Sequence, residues 1–140
     1  MASLVEDAAS MAERIATALT SSGYRADFSP ASLWDLDRFF DEQSDKGRPR
    51  RGGLLADETG ARLFALGAYT GEVIRRAVGG TWSADDADPE GEINIELQLA
   101  DGSIVWPVQR VMKRLANGAE DALAPYAAAL GVDVGAPPGR

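Results

Sequence analysis

The chain has 140 residues, a formal net charge of −8 at pH 7, and neither cysteine nor histidine. This length fits one domain with a core of its own, and the hydrophobic share of 45% is that of an ordinary globular protein. The missing residue types exclude a disulfide framework, a thiolate zinc site, a cysteine nucleophile and the commonest general base, and the negative charge disfavours a general nucleic-acid binder.

The first helix is predicted over residues 3–20, where apolar side chains recur every three or four positions. Ser3 is a good N-cap, and Glu6 three residues later completes a capping box. The same segment carries acidic residues and lacks a basic start followed by an apolar run, and no stretch reaches 18 apolar residues. The sequence therefore predicts a cytoplasmic protein that does not enter a membrane.

A short strand-like piece, "YRADF", follows because Tyr24, Ala26 and Phe28 alternate with charged residues. A second helix is then predicted over 30–43, with Ser29 as N-cap and Pro30 in the first turn.

The segment "DKGRPRRGG" collects the basic residues Lys46, Arg48, Arg50 and Arg51 among glycine and proline. This composition favours a solvated, mobile loop over a contact with an anion or a partner, although both stay open.

The central helix is predicted over 61–78, because apolar and small residues surround most of its circumference. Gly79 and Gly80 predict its end and a direct passage into a strand over 80–84. Strict alternation over 92–99 predicts a second strand, and an Asp-Gly turn leads into a third over 103–106.

The last helices are predicted over 107–116, opened by Pro107, and over 120–130, with a frayed tail at 132–140. Residues 1–131 would form a single α+β domain: a small antiparallel sheet whose helices pack mainly on one face.

Gly67 and Gly71 lie inside the central helix, not between a strand and a helix start, so they do not match a dinucleotide-binding loop. Glycine is unfavourable in a helix interior, and the pair predicts that a neighbouring element approaches the backbone closely.

Glu72 follows in the most apolar helix, where a carboxylate needs a cation or several donors to remain charged. It could form an ordinary ion pair with Arg76 one turn on, or point inward towards Lys113 or Arg114. The first is a structural role, and the second would suit a functional carboxylate in a cleft.

The run "DDADPEGEIN" resembles a calcium loop at its first positions. Leu97, however, stands where a bidentate glutamate is required, so no metal is expected.

The tryptophans Trp34, Trp82 and Trp106 are predicted at the margins of the core. A small-molecule pocket, if there is one, is predicted between the central helix and the end of the sheet.

The stretch "LGAYTGEVIRRAVGGTW", with the later "WPVQRVMKRLANGAEDALAPY", resembles a family of small bacterial domains of unknown function, over roughly residues 61–126. The resemblance implies no activity, substrate or catalytic residue. It nominates a fold signature or a possible site at Leu66, Gly67, Gly71, Glu72, Trp82, Pro107, Lys113 and Arg114.

The sequence thus favours a non-enzymatic cytoplasmic domain, without cofactor or metal, that acts by protein contact in a regulatory, adaptor or immunity-type role. Its acidic surface would suit a basic partner and suppress nucleic-acid binding. The alternative is a binder of, or an enzyme acting on, a small anionic ligand near Glu72, with Arg75, Trp82, Lys113 and Arg114. Against an enzyme, the sequence shows no nucleophile beside a plausible base.

Overall fold

The computed structural model describes residues 2–138 and shows an α+β fold, as predicted. The elements in chain order are α1 Leu4–Ser21, α2 Ser32–Gln43, β1 Ser44–Asp45, β2 Arg48–Pro49, α3 Thr59–Val78, β3 Gly80–Ser83, α4 Gly91–Asn94, β4 Glu96–Leu99, β5 Ile104–Val105, α5 Pro107–Asn117, a 3-10 turn Gly118–Asp121, and α6 Leu123–Ala129. Among these helices, none is both long and apolar enough to cross a membrane.

The larger sheet is antiparallel with the order β3-β4-β5. Leu97 and Leu99 of β4 and Val105 of β5 are buried on the face that meets the helices, whereas Gln98 and Ile104 are exposed on the opposite face. The helices therefore cover one face of this sheet, in agreement with the sequence prediction.

Helix α3 is the centre of the core. Leu66, Tyr69, Val73 and Ile74 are fully buried, and the helix packs against α1, α5 and the sheet. The all-round burial of its middle turns explains why the sequence shows apolar or small residues on almost every side of this helix.

The start of α1 is as predicted, but α2 begins later. The Ser3 hydroxyl accepts from the Glu6 N–H at 3.1 Å, and the Glu6 carboxylate accepts from the Ser3 N–H at 3.0 Å. The expected N-cap Ser29 instead donates its hydroxyl to Asp27, and a turn over 29–31 precedes the first helical residue, Ser32. Proline at position 30 opens this turn rather than the helix.

The predicted strand-like piece at 24–28 is not a strand. Tyr24 and Ala26 are buried whereas Arg25 and Asp27 are exposed, so the alternation is real. The segment pairs with no other strand in the described sheets, and Phe28 has a positive φ of 62°. In this segment every second side chain is buried against helices, which gives the sequence the alternation of a strand although the backbone pairs with no neighbouring strand.

The basic segment is an ordered hairpin and not a mobile loop. β1 and β2 pair antiparallel, and Lys46 and Gly47 form the turn with φ of 53° and 80°. Two positive φ values are what a tight two-residue hairpin turn requires. The Arg50 Nε also donates to the Glu42 carbonyl at 2.9 Å, which ties the base of the hairpin to α2.

The predicted strand over 92–99 is wrong in its first half. Residues 91–94 form the short helix α4, and the strand starts at Glu96. Gly91 lies so close to Leu4 that a Cβ there would be 2.5 Å from Leu4 Cδ1, and Asn94 donates to Asp88. These contacts wind the chain into a turn that hydrophobic alternation alone does not reveal. The flanking strands are also shorter than predicted, at 80–83 and 104–105.

The C-terminal part is better ordered than predicted. The helix expected over 120–130 is a 3-10 turn and α6, separated by the extended residue Ala122. The tail is not frayed at its start, because Val132 and Val134 are 3% and 6% exposed. The Trp34 indole N–H donates to the Val134 carbonyl at 3.1 Å and holds this segment against α2.

Candidate functional site

Glu72 lies on α3 at the centre of a cluster of N–H donors. Its Oε1 accepts from Arg75 Nε at 2.8 Å and from the Trp82 indole at 3.2 Å. Its Oε2 accepts from Arg75 Nη2 at 2.7 Å and from Arg76 Nε at 2.9 Å. The helix supplies both arginines at i+3 and i+4, and the double glycine after α3 turns the chain so that Trp82 reaches back to the same carboxylate.

These donors keep the Glu72 carboxylate charged. Only 14% of the side chain is exposed, and the hydrogen bonds from Arg75, ahead of opposing burial and with further help from Arg76 and Trp82, lower the pKa of Glu72 to about 2. Four N–H groups occupy the two oxygens, and a base with such a low pKa holds a proton poorly near neutral pH. The geometry is that of a structural anion that joins helix to sheet.

Arg76 extends the cluster towards the N-terminal half of the chain. Its guanidinium carbon lies 4.0 Å from the centroid of the Phe28 ring, and its Nη2 lies 3.5 Å from Glu13 on α1. The cluster thereby connects α3 to α1 and to the segment before α2.

The structure brings together only part of the predicted site. Glu72, Arg75 and Trp82 meet, whereas Lys113 is exposed on α5 and Arg114 is 2% exposed in a different network. Of the two alternatives for Glu72, the structure shows the ion pair with Arg76 and not the inward contact with Lys113 or Arg114. Glu72 takes its cations from its own helix, and Arg114 points to α2.

Arg114 joins three elements through Asp37. Its Nε donates to Asp37 Oδ1 at 2.9 Å, and its Nη2 donates to the Asp37 carbonyl at 2.9 Å and to Asp41 Oδ1 at 2.7 Å. Asp37 also accepts from the backbone N–H groups of Leu123 and Ala124, so it caps the start of α6. Sequence reasoning missed Asp37, and the signal was its place between Leu36 and Phe40 on the buried side of α2.

The predicted cleft between α3 and the sheet is filled. A Cβ at Gly71 would lie 2.7 Å from Trp82 Cζ2 and 2.9 Å from Pro107 Cγ, and one at Gly67 would lie 2.6 Å from Val108 Cα. The two glycines thus mark close approach, as the sequence predicts. Trp82 is half-buried, and its ring fills the space beside Gly71.

The sheet presents a second candidate surface, on the side away from the helices. We call this the outer face, and its members are Thr81, Ser83, Glu96, Gln98, Ile104 and Trp106. Ile104 and Trp106 are each 42% exposed, so Trp106 is less buried than a residue at the margin of the core. Leu97 pairs with Val105, and the same register continued by one residue places Trp106 beside Glu96.

Acidic groups border this face. A depression of about 270 Å³ is lined by Ser83 and Glu96 of the outer face and by Asp85, Asp88 and Asn94. Within residues 2–138, however, the carboxylates do not form a group of three or more that could hold a metal ion. The depression adds negative potential beside the exposed apolar side chains without being a metal centre.

A cavity of about 320 Å³ lies between the basic hairpin and the end of α5. Its lining includes the cations Lys46, Arg50 and Arg114 and the anions Asp41 and Asp45. The two signs nearly balance, and Arg114 already bonds to aspartates, so the cavity shows no net preference for an anion.

Comparison with protein-family models, curated proteins and solved structures finds no match. The resemblance to small bacterial domains therefore stays a prediction.

Proposed function

We propose that the domain acts by binding a basic protein partner through the outer face of the sheet. The observation that carries the proposal is the pair Ile104 and Trp106, two large apolar side chains, each 42% exposed, on a sheet face without a covering helix among the described elements. Exposed aromatic and aliphatic side chains beside polar neighbours are typical of protein contact sites.

The chemistry of the surroundings indicates a basic partner. The β4–β5 register, continued by one residue, places Glu96 beside Trp106. Asp85 and Asp88 line the adjacent depression, and the chain carries a net charge of −8. Complementary charge accelerates encounter and selects among partners more than it adds affinity. A cytoplasmic, non-enzymatic regulatory, adaptor or immunity-type role remains part of this proposal.

The alternative, an anionic ligand near Glu72, has less support. All four donors around Glu72 are already directed at its carboxylate, and Trp82 fills the space against Gly71. A ligand would have to displace these groups before it could bind.

The test is selection of a phage-displayed random twelve-residue peptide library against the full chain. We expect selected peptides rich in lysine, arginine and apolar residues, with affinity that falls as salt rises. The double variant Ile104→Ser, Trp106→Ser should weaken binding by at least about tenfold, equivalent to about 1.4 kcal/mol.

The matched control is Met112→Ser, since Met112 is 37% exposed on α5 and lies outside the outer face. It removes a similar apolar side chain and should leave binding within about twofold of the original chain. Selection of no basic peptide, or an equal loss in the control and the double variant, would contradict the proposal.

A further inference from the structure

We infer that the partner binds as an extended segment that adds a strand beside β5. This rests on the proposed function and specifies its geometry. β5 is an edge of the sheet, since the order β3-β4-β5 leaves one of its sides unpaired among the described strands. Exposed edges accept an additional strand through main-chain hydrogen bonds.

The hydrogen-bond phase shows which groups face outward. Leu99 N–H donates to the Ser103 carbonyl at 2.8 Å, so these two residues form a hydrogen-bonded pair. Pairs of this kind alternate along an antiparallel ladder. Leu97 with Val105 is therefore the next bonded pair, and Gln98 with Ile104 is a non-bonded pair between them. The N–H and C=O of Ile104 consequently point away from β4.

These outward groups have no other partner in the part of the chain that the structure describes. Within residues 2–138, no turn, cap or side-chain hydrogen bond uses the N–H or the C=O of Ile104. The Trp106 carbonyl accepts from Arg110 at 3.1 Å, which leaves its N–H on the same edge as Ile104. A short extended segment can thus form up to three backbone hydrogen bonds here before Pro107 ends the edge.

The edge of the sheet at β3 is also open, but its side chains differ from those at β5. Ala100 N–H donates to the Gly79 carbonyl, and the same alternation directs the backbone groups of Gly80 and Trp82 outward from β3. The outer-face residues of β3, however, are Thr81 and Ser83, which offer no large apolar side chain. Of the two edges of the β3-β4-β5 sheet, the one at β5 combines unpaired backbone groups with exposed apolar side chains.

The side chains of the added strand follow from its position. Every second one would lie on the outer face beside Ile104 and Trp106. A lysine or arginine there can pack its aliphatic stem on these residues, place its charge over the Trp106 ring and reach towards Glu96. We therefore assign the partner an extended segment with basic residues at alternate positions and β-favouring apolar residues between them.

The probe is an acetylated and amidated nine-residue peptide of alternating lysine and valine, titrated to millimolar concentration into the ¹⁵N-labelled full chain. Amide hydrogen exchange is measured by NMR. We expect exchange at Ile104 and Trp106 to slow by at least about tenfold, while Gly80 and Trp82, the same kind of outward amide on β3, stay unchanged.

Two controls examine the backbone contact itself. The same peptide with every lysine and valine N-methylated has the side chains but lacks their backbone donors, whichever direction the added strand runs, and it should bind at least about tenfold more weakly. Ile104→Pro removes an outward N–H that the β4 ladder does not use and should abolish protection of Trp106, whereas Ile104→Val should behave like the original chain. If the proline variant fails to fold, the N-methylated peptide still decides.

The outcomes separate this inference from the proposed function. Binding to the outer face with fast exchange at Ile104 overturns the added strand and leaves the partner contact standing. Protection of Gly80 and Trp82 instead, no binding of the peptide at millimolar concentration, or protection of Ile104 that rises with protein concentration alone would also overturn it. The last result would identify a second copy of the chain as the occupant. Failure of the peptide selection above would remove the proposed function itself.

Discussion

At the scale of single residues, the contacts of α3 explain its unusual composition. Glu72 is acceptable in an apolar helix because two arginines balance its charge and four N–H groups donate hydrogen bonds to its carboxylate. Gly67 and Gly71 are acceptable because Val108, Trp82 and Pro107 lie where side chains would be. The residues that look most like a ligand site in the sequence are those that bring helix and sheet together.

Gly71→Ala should destabilise the protein by about 1–3 kcal/mol, because the added methyl group must displace the Trp82 ring and Pro107. The matched control is Gly60→Ala in the first turn of the same helix, where a Cβ has no neighbour within 4 Å. There the gain in helix propensity should stabilise the protein by up to about 1 kcal/mol. Urea unfolding of both variants measures the difference, and equal effects would show that Gly71 is not closely packed.

The sequence predicted individual residues well where the physics is local. The capping box of Ser3 and Glu6 and the close packing at Gly71 need only nearby positions or a backbone preference. The partner of Arg114 could not be predicted, since Asp37 is 77 residues away in the chain and only the fold brings the two together.

At the scale of elements, the errors fall where local patterns are ambiguous. Residues 92–95 alternate as a strand would, yet 92–94 lie in α4. The sequence does not reveal this helix, because four residues are too few to show a 3.6-residue period. The hairpin β1–β2 has only two residues in each strand, which are too few to alternate. The long helices carry several periods, and the Asp-Gly turn marks the strand pair β4–β5, so these elements were predicted correctly in kind and order.

Asp37 connects α2, α5 and α6, so its removal should affect more than one element. Asp37→Ala should cost about 3–5 kcal/mol, because it leaves the buried Arg114 with one carboxylate and removes the cap of α6. Asp41→Ala is the matched control. It removes the other carboxylate of the same arginine, but the Asp41 side chain is 64% exposed, and the loss should be about 1 kcal/mol or less.

Chemical unfolding measures both free energies, and hydrogen exchange at Leu123 and Ala124 reports on the cap. A loss from Asp41→Ala as large as that from Asp37→Ala would show that the arginine, rather than the capped junction, carries the stability. Unchanged exchange at α6 in the Asp37 variant would show that the cap contributes little.

At the scale of the whole molecule, charge and sheet architecture point to the same surface. The helices cover one face of the β3-β4-β5 sheet and leave the outer face to Ile104 and Trp106, while Glu96, Asp85 and Asp88 make its border acidic. The sequence predicted the one-sided packing and the acidic balance. It could not show that the exposed apolar residues share a face with these acids, because that depends on the register of the strands.

The stability of the whole molecule should depend on pH through Glu72. The pKa of Glu72 is about 2 in the folded protein, below its ordinary value of 4.5, so the folded state binds this proton less readily than the unfolded state. The contribution of Glu72 is therefore present above about pH 4.5 and is lost as the pH falls towards 2. Glu72→Gln should be less stable than the original chain by about 1–3 kcal/mol at pH 7, because it loses charge-assisted hydrogen bonds.

This difference between Glu72→Gln and the original chain should shrink as the pH falls from 4.5 to 2, since protonation then removes the same charge. Urea unfolding at pH 7, 4.5, 3 and 2 measures it. The control for the loss of one negative charge is Glu120→Gln. Glu120 is exposed and its side chain makes no hydrogen bond within residues 2–138, so this variant should change stability by less than about 0.5 kcal/mol at pH 7. A difference for Glu72→Gln that stays constant down to pH 2 would mean that the carboxylate charge is not what joins α3 to Trp82.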